Sequence, residues 1–270
     1  MKSAIKSVTS RDNPFYKELK HLAGSSQALR KAGRSLLDGV HLCQSYLDLV
    51  GQPVHCIVSE GALAHPEVAS IVDRVQAPAT SLPDALFGAL SQVEHGIHLL
   101  FLVATPRPVQ PAALVESAVL LDGVQDPGNA GSILRSAGAA GIRQVYCSPG
   151  TASIWSPKVL RAAMGAHFVL EIFEHVDLAD LVRAARVPVL ATSGYASERI
   201  YDVDLARPAA WLLGHEGQGV SDALLNLATH RVAIPHAGAV ESLNVAACAA
   251  VCFFEQLRQQ QAHRSPSRRA

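Results

Sequence analysis

No apolar stretch of membrane-spanning length occurs in the sequence: the longest, VAACAAVCFF, is far short of the roughly 20 residues such a helix needs. Its first segment, MKSAIKSVTSRDNP, is polar and lacks the apolar run of a signal peptide. Both absences point to a soluble, cytoplasmic protein with no membrane partner. The five cysteines (Cys43, Cys56, Cys147, Cys248, Cys252) are odd in number and form no C-x-x-C pair, so neither a disulfide framework nor a zinc site is indicated. The twelve histidines contain no H-E-x-x-H, and no metal is expected. Glycine-rich turns are present, but neither the dinucleotide fingerprint nor the Gly-Lys-Ser/Thr ending of a phosphate loop is met. A nucleotide-dependent oxidoreductase is therefore disfavoured, and internal repeats are lacking too.

Net charge is also missing, with 23 bases against 23 acids, yet the charges are segregated. Residues 1–34 carry eight Lys/Arg against Asp12 and Glu18, the chain from Gln256 adds four arginines and no acid, and the stretch between holds eleven bases and twenty-one acids. A basic N-terminal face, with Lys17, Lys20, Arg30 and Lys31, suits a polyanion, because neutralising phosphates releases counterions. A solvated helix accounts for the same charges equally well. The last residues, 259–270, read as a disordered basic tail.

At 270 residues and nearly half hydrophobic, the chain has room for two domains with real cores. Residues 15–30 read as a polar helix; SLLDGVHLCQSYLDLV as a strand and helix; PVHCIVSE as a strand; HPEVASIVDRV as a helix; GIHLLFLVAT as a strand. This is a small α/β domain over 1–105, followed by a proline-rich linker over 106–115. From 116 to 258 strands (AVLLDGV, QVYCSP, FVLEIF, PVLATS, AAWLLG, RVAIP) alternate with helices, which predicts a mostly parallel sheet covered on both faces.

Three loops of the second domain carry unusual chemistry. DGVQDPGNAGSILRSAGAAG places Asn129 and Arg135 at the start of a helix, six residues apart and near a whole number of turns. LLGHEGQGVSDALL sets a carboxylate, Glu216, among Gly214, Gly217 and Gly219. In IPHAGAVESLNVAACAAVCFFEQL, Ser242 can cap a helix whose first turn holds Asn244. That helix is apolar nearly all round over 245–254, with Val245, Cys248, Val251, Cys252 and Phe254, which predicts burial against a second subunit as well as a core.

Together these loops resemble the SpoU-type RNA ribose methyltransferases of the SPOUT superfamily. PGNAGSILRSAG is similar to the first motif of that family, LLGHEGQGVS to the second and IPHAGAVESLNVAACAAV to the third, in the same order. SPKVLRAAMGAHF, between the first two, is similar to a stretch of family members, so the likeness spans roughly 117–257. The front part, from VTSRDNPFYKELKHL, is similar to the L30e-like substrate-binding domain of the rRNA-modifying branch. Departures are Asp38 where Glu is usual, VEHGIHL in place of a Pro-Gln-Gly, His215 where Asn is common and His236 where Met is common.

The resemblance implies an α/β SPOUT domain with a deep trefoil knot, S-adenosylmethionine as methyl donor, an rRNA partner bound with help from the front domain, and a homodimer formed through the catalytic domain. It carries the roles residue by residue. Asn129, Arg135, Glu216, Ser242 and Asn244 match the catalytic positions, with Arg135 on the phosphate and developing oxyanion and Glu216 orienting Arg135 or shuttling the proton. Thr192, Gly214, Gly217, Ile234 and Leu243 match the positions that hold the cofactor. A methylated tRNA in place of 23S rRNA, or a non-catalytic RNA-binding protein, are the alternatives.

Overall fold

The computed structural model describes residues 5–91, 96–239 and 242–264. The expected VEHGIHL departure lies partly outside them. The chain forms two compact units, Met1–Pro106 with Trp155–Phe168, and Arg107–Ile154 with Val169–Ala270.

In the first unit the strands are β1 (Lys6–Ser7), β2 (Arg34–Asp38), β3 (His55–Ser59), β4 (Ala79–Leu82) and β5 (Leu99–Ala104), in the sheet order β1-β4-β3-β5-β2. β5 runs antiparallel to both neighbours, and the other pairs are parallel. The helices are α1 (Pro14–Ala23), α2 (Ser26–Ala32), α3 (Val40–Leu49), α4 (Pro66–Arg74) and α5 (Asp84–Gly88). The single helix expected over 15–30 is two helices. Asn13 caps the first, its Oδ1 accepting from the amides of Phe15 and Tyr16, and Pro14 supplies an N1 residue that has no amide to satisfy. At Gly24 the chain stops, and Ser25 restarts it by accepting the Ala28 amide. Tyr16, Leu19, Leu22 and Leu29 from these helices bury themselves against Leu36, Ile57, Leu82, Leu100 and Leu102 of the sheet. Periodicity thus turns Lys17, Lys20, Arg30 and Lys31 outward, and all four are exposed.

The second unit is built on seven strands, all paired in parallel: β6 (Ala118–Asp122), β7 (Gln144–Cys147), β8 (Glu171–Glu174), β9 (Val189–Thr192), β10 (Glu198–Arg199), β11 (Ala210–Gly214) and β12 (His230–Ala233). Their order is β10-β12-β9-β11-β6-β7-β8. The helices in this part of the chain are α6 (Pro127–Ala139), α7 (Pro157–Ala163), α8 (Leu178–Arg183), α9 (Asp222–Leu225) and α10 (Val245–Arg264). Of these, α7 belongs to the first unit, where it lies against β2, although the sequence places it between two strands of the second.

Period-two alternation divides the sheet residues between two cores. Leu120, Tyr146, Ala191 and Leu212 face α8 and α9 with Leu178, Leu181 and Leu224. From the opposite face Trp211 reaches α10, its indole N–H donating to Gln256 Oε1 at 2.7 Å. Gln256 is itself buried, and its amide donates to Ser117 Oγ and the Arg207 carbonyl. Satisfying that group avoids the roughly 1–3 kcal/mol that an unpaired buried polar atom costs. Ala249, Cys252 and Phe253 fill the rest of the α10 face, so Cys252 belongs to this core and not to an outer surface. The helix continues to Arg264, which corrects the tail expected to be disordered from 259; residues 265–270 lie outside the described ones.

The strand order changes direction beside β6. From there the chain moves outward to β7 and β8 on one side, and its later strands are laid on the other. In open parallel sheets the crevice at such a switch point, outside the carboxyl ends of the strands, is where ligands bind.

Candidate active site at the carboxyl edge of the sheet

β6 and β11 are neighbours in register, Asp122 opposite Gly214, so the loops that leave them start side by side. Gly214 has no room for a side chain: a Cβ there would land on the Gly219 carbonyl and the Val220 nitrogen. The chain therefore folds straight back after β11. Reciprocal backbone bonds between His215 and Gly219 close the turn, and Gly219 takes the left-handed conformation, φ +71°, that favours glycine. Asp122 fastens the far side by accepting the Ser221 amide at 2.9 Å.

Glu216 stands in this turn and reaches across to the loop after β6. Its carboxylate accepts the amides of Gln125 (3.2 Å) and Asp126 (3.0 Å) and the Asn129 side-chain Nδ2 (3.0 Å). An ionised carboxylate can only accept, so it fixes which way the Asn129 amide points. Asn129 Oδ1 then accepts from Asn244 Nδ2 at 2.9 Å, which leaves Asn244 Oδ1 to accept the amides of Ala246 and Ala247 at the start of α10. One directional chain of hydrogen bonds joins three loops that lie far apart in sequence.

Three expectations are corrected here. Asn244, not Ser242, caps α10, and it stands outside the helix rather than in its first turn. Glu216 orients Asn129 rather than Arg135. Nor do Asn129 and Arg135 share a helix face, since six residues amount to about 1.7 turns. Arg135 is exposed in the body of α6, with no ion pair among the described residues.

Asp126 was missed, although Asp followed by Pro is a helix-start signal. Its Oδ1 caps α6 by accepting the Asn129 amide at 2.8 Å, while its own amide serves Glu216. Asn129 is thus held at both backbone and side chain.

The remaining expected residues lie along the same edge. Thr192 ends β9, opposite Val232 of β12, and its hydroxyl donates to the Leu212 carbonyl. The half-buried Cys248 of α10 hydrogen-bonds to Thr192 and to Cys252, bringing the first turns of that helix to the strand end. Ile234 follows β12 directly and is half-buried; Gly217, Ser242 and Leu243 are exposed. Lys17, Lys20, Arg30 and Lys31 belong to the first unit, and Lys17 is 2.8 Å from Asp12.

Burial pushes the Glu216 carboxyl up, but the donors from Asn129 and the backbone outweigh it and bring it down to about 2. Glutamate in an unfolded chain titrates at about 4.3. Because the folded value is the lower one, the stabilisation is complete above the unfolded value and is lost as the pH falls toward about 2. Glu216→Gln removes this contribution. Denaturant midpoints measured across that window should fall less steeply with acid in the variant than in the wild type, and parallel curves would contradict the assignment.

The SpoU rRNA Methylase family model matches residues 116–254. An uncharacterized tRNA/rRNA methyltransferase of Synechocystis sp. is 32% identical over 272 residues, covering 98% of each chain. The 23S rRNA (guanosine(2553)-2′-O)-methyltransferase RlmP of Bacillus subtilis is 27% identical over 252 residues, 93% of this chain and 98% of that one. Among solved structures, the AdoMet-bound rRNA methyltransferase of Sinorhizobium meliloti superposes with a TM-score of 0.81 at 26% identity, covering 94% of this chain and 98% of that one. The three loops tied together by Glu216, Asn129 and Asn244 all fall within the matched segment, and the chain belongs to the SpoU rRNA methylase family.

Proposed function

We propose that this protein transfers a methyl group from S-adenosylmethionine to a ribose 2′-hydroxyl of 23S rRNA. The observation that carries the reading is the hydrogen-bond chain from Glu216 through Asn129 to Asn244, which gathers the three family motifs at one edge of the sheet. The B. subtilis relative, alike over nearly its whole length, is named for this reaction on 23S rRNA, and the S. meliloti structure is described as AdoMet-bound.

The donor fits the groups at hand. Thr192, Gly214, Gly217, Ile234 and Leu243 offer backbone and uncharged contacts along the edge, while the ionised Glu216 favours a cationic ligand and disfavours a pyrophosphate. When bound, the cofactor supplies a methyl carbon activated by its positive sulfur. The protein must then hold a poorly acidic hydroxyl in line with that carbon and stabilise the charge that develops on oxygen. Arg135 is permanently charged and unpaired among the described residues, so it is available to a phosphate and to that oxyanion. Asn129, Ser242 and Asn244 orient the ribose. Glu216, ionised and accepting three bonds, positions Asn129.

The family likeness supports a reading of the wider architecture. We assign an L30e-like RNA-binding domain to 1–105, a linker to 106–115, and a SPOUT domain with a deep trefoil knot from 116. A homodimer forms through the catalytic domain, supported by apolar side chains that the unit leaves uncovered near the start and middle of α10: Leu243 is 39% and Phe254 48% exposed. Pulling the chain by its two ends would decide the knot, since a chain that extends to its full contour length has none.

Mapping 2′-O-methyl groups in cellular rRNA with and without the protein tests the reaction, and loss of a methyl from tRNA alone would overturn the rRNA target. Arg135→Ala should lower single-turnover methylation by at least about 100-fold while leaving cofactor affinity within a few-fold, as expected for removing a transition-state contact. Turnover near wild type would remove Arg135 from its role.

Reversing Lys17, Lys20, Arg30 and Lys31 to Glu should weaken RNA binding and flatten its salt dependence without changing cofactor affinity. An unaltered slope would mark them as a solvated face. Phe254→Asp should give a monomer by light scattering, and a dimer of unchanged strength would place the interface elsewhere.

A further inference from the structure

His215 does what an asparagine does elsewhere in this chain. Its imidazole Nδ1 accepts the amides of Gly217 at 2.9 Å and Gln218 at 3.3 Å, two and three residues further on. The same i+2, i+3 pattern is made by Asn13, whose Oδ1 accepts from Phe15 and Tyr16, and by Asn244, which accepts from Ala246 and Ala247. The two acceptors are equivalent in reach, since Nδ1 of histidine and Oδ1 of asparagine stand the same number of bonds from the backbone. They differ in one respect. A side-chain amide is an acceptor at any ordinary pH, whereas Nδ1 accepts only when the imidazole is neutral and its proton sits on Nε2.

Two backbone bonds between His215 and Gly219 close the turn from outside, but neither touches its interior residues. Within the turn the amides of Gly217 and Gln218 point at His215 Nδ1, and Glu216 lies between His215 and these two amides in sequence. We propose that His215 is a positioning residue for methyl transfer: its neutral imidazole fixes the turn so that the Glu216 carboxylate meets Asn129 and the amides of Gln125 and Asp126. The inference rests on the methyltransferase reading and adds to it a residue outside the reacting groups.

A proton on Nδ1 would turn this acceptor into a donor and set it against two N–H groups, so the clamp requires the neutral imidazole with its proton on Nε2.

Three proteins decide the matter: wild type, His215→Ala and His215→Asn, each assayed for single-turnover methylation of rRNA at pH 8. His215→Ala should fall at least about ten-fold, because the turn loses its internal acceptor. His215→Asn should restore turnover to within about three-fold of wild type, because its Oδ1 can take the same two amides. A fully active His215→Ala, or a His215→Asn as weak as the alanine variant, would each overturn the proposal. The imidazole ¹⁵N spectrum of the wild type gives a readout independent of turnover: the expected state at pH 8 has the proton on Nε2, and a proton on Nδ1 would refute the clamp. If the wild type itself transfers no methyl group, the functional reading fails, while this spectrum still tests the His215 contact.

Discussion

A single ionised carboxylate determines the geometry of the edge. Glu216 can only accept, and each group that meets it is thereby assigned a direction: Asn129 must present its Nδ2, hence its Oδ1 faces Asn244, hence the Asn244 Oδ1 is left for the amides of α10. Each link is individually worth about 1 kcal/mol, somewhat more where charge is involved. Their larger effect is on orientation, since reversing any one amide would set donor against donor further along. Neutralising the carboxylate would remove the constraint at its origin.

The backbone serves this arrangement at two places. After β11 the chain can return across the strand end only because Gly214 carries no side chain, which brings the Glu216 turn beside the loop after β6. Before α6, Asp126 both caps the helix and gives its own amide to Glu216, so that the start of the helix and the carboxylate share one residue. Packing keeps these loops in place. Trp211 and Gln256 hold α10 to β11, and α10 also lies along α6, the other helix that begins at the site.

Much of this was legible from residue types. Alternating strands and helices predicted the parallel sheet, and the glycines around Glu216 marked a turn holding a carboxylate that a bare turn does not need. What escaped had physical reasons. The break between α1 and α2 depends on a glycine and a serine in an otherwise helical run, where an average over the window dilutes the signal. β4, four residues long and wholly buried, has no alternation to detect. At the site, sequence could place Asn129, Glu216 and Asn244 in three loops but not decide their pairing. The family resemblance offered Arg135 as a partner of Glu216, whereas in the fold Glu216 meets Asn129 and two backbone amides, and backbone amides carry no sequence signature. The cap of α10 went to Ser242 by residue preference, although Asn244 is the one adjacent to the helix.

Asn129 and Asn244 are 115 residues apart in the chain, and this separation has a meaning in time. At the usual about 5–20 residues per second of synthesis, Asn129 leaves the ribosome roughly 6 to 23 s before its partner does. Over that interval β6 and α6 can form, and then the Glu216 turn, but the asparagine between them has an acceptor with nothing to receive. The site closes only when α10 arrives and lays itself along α6. A ribosome-bound chain that has not yet made this helix therefore cannot assemble the completed edge, whatever RNA lies beside it.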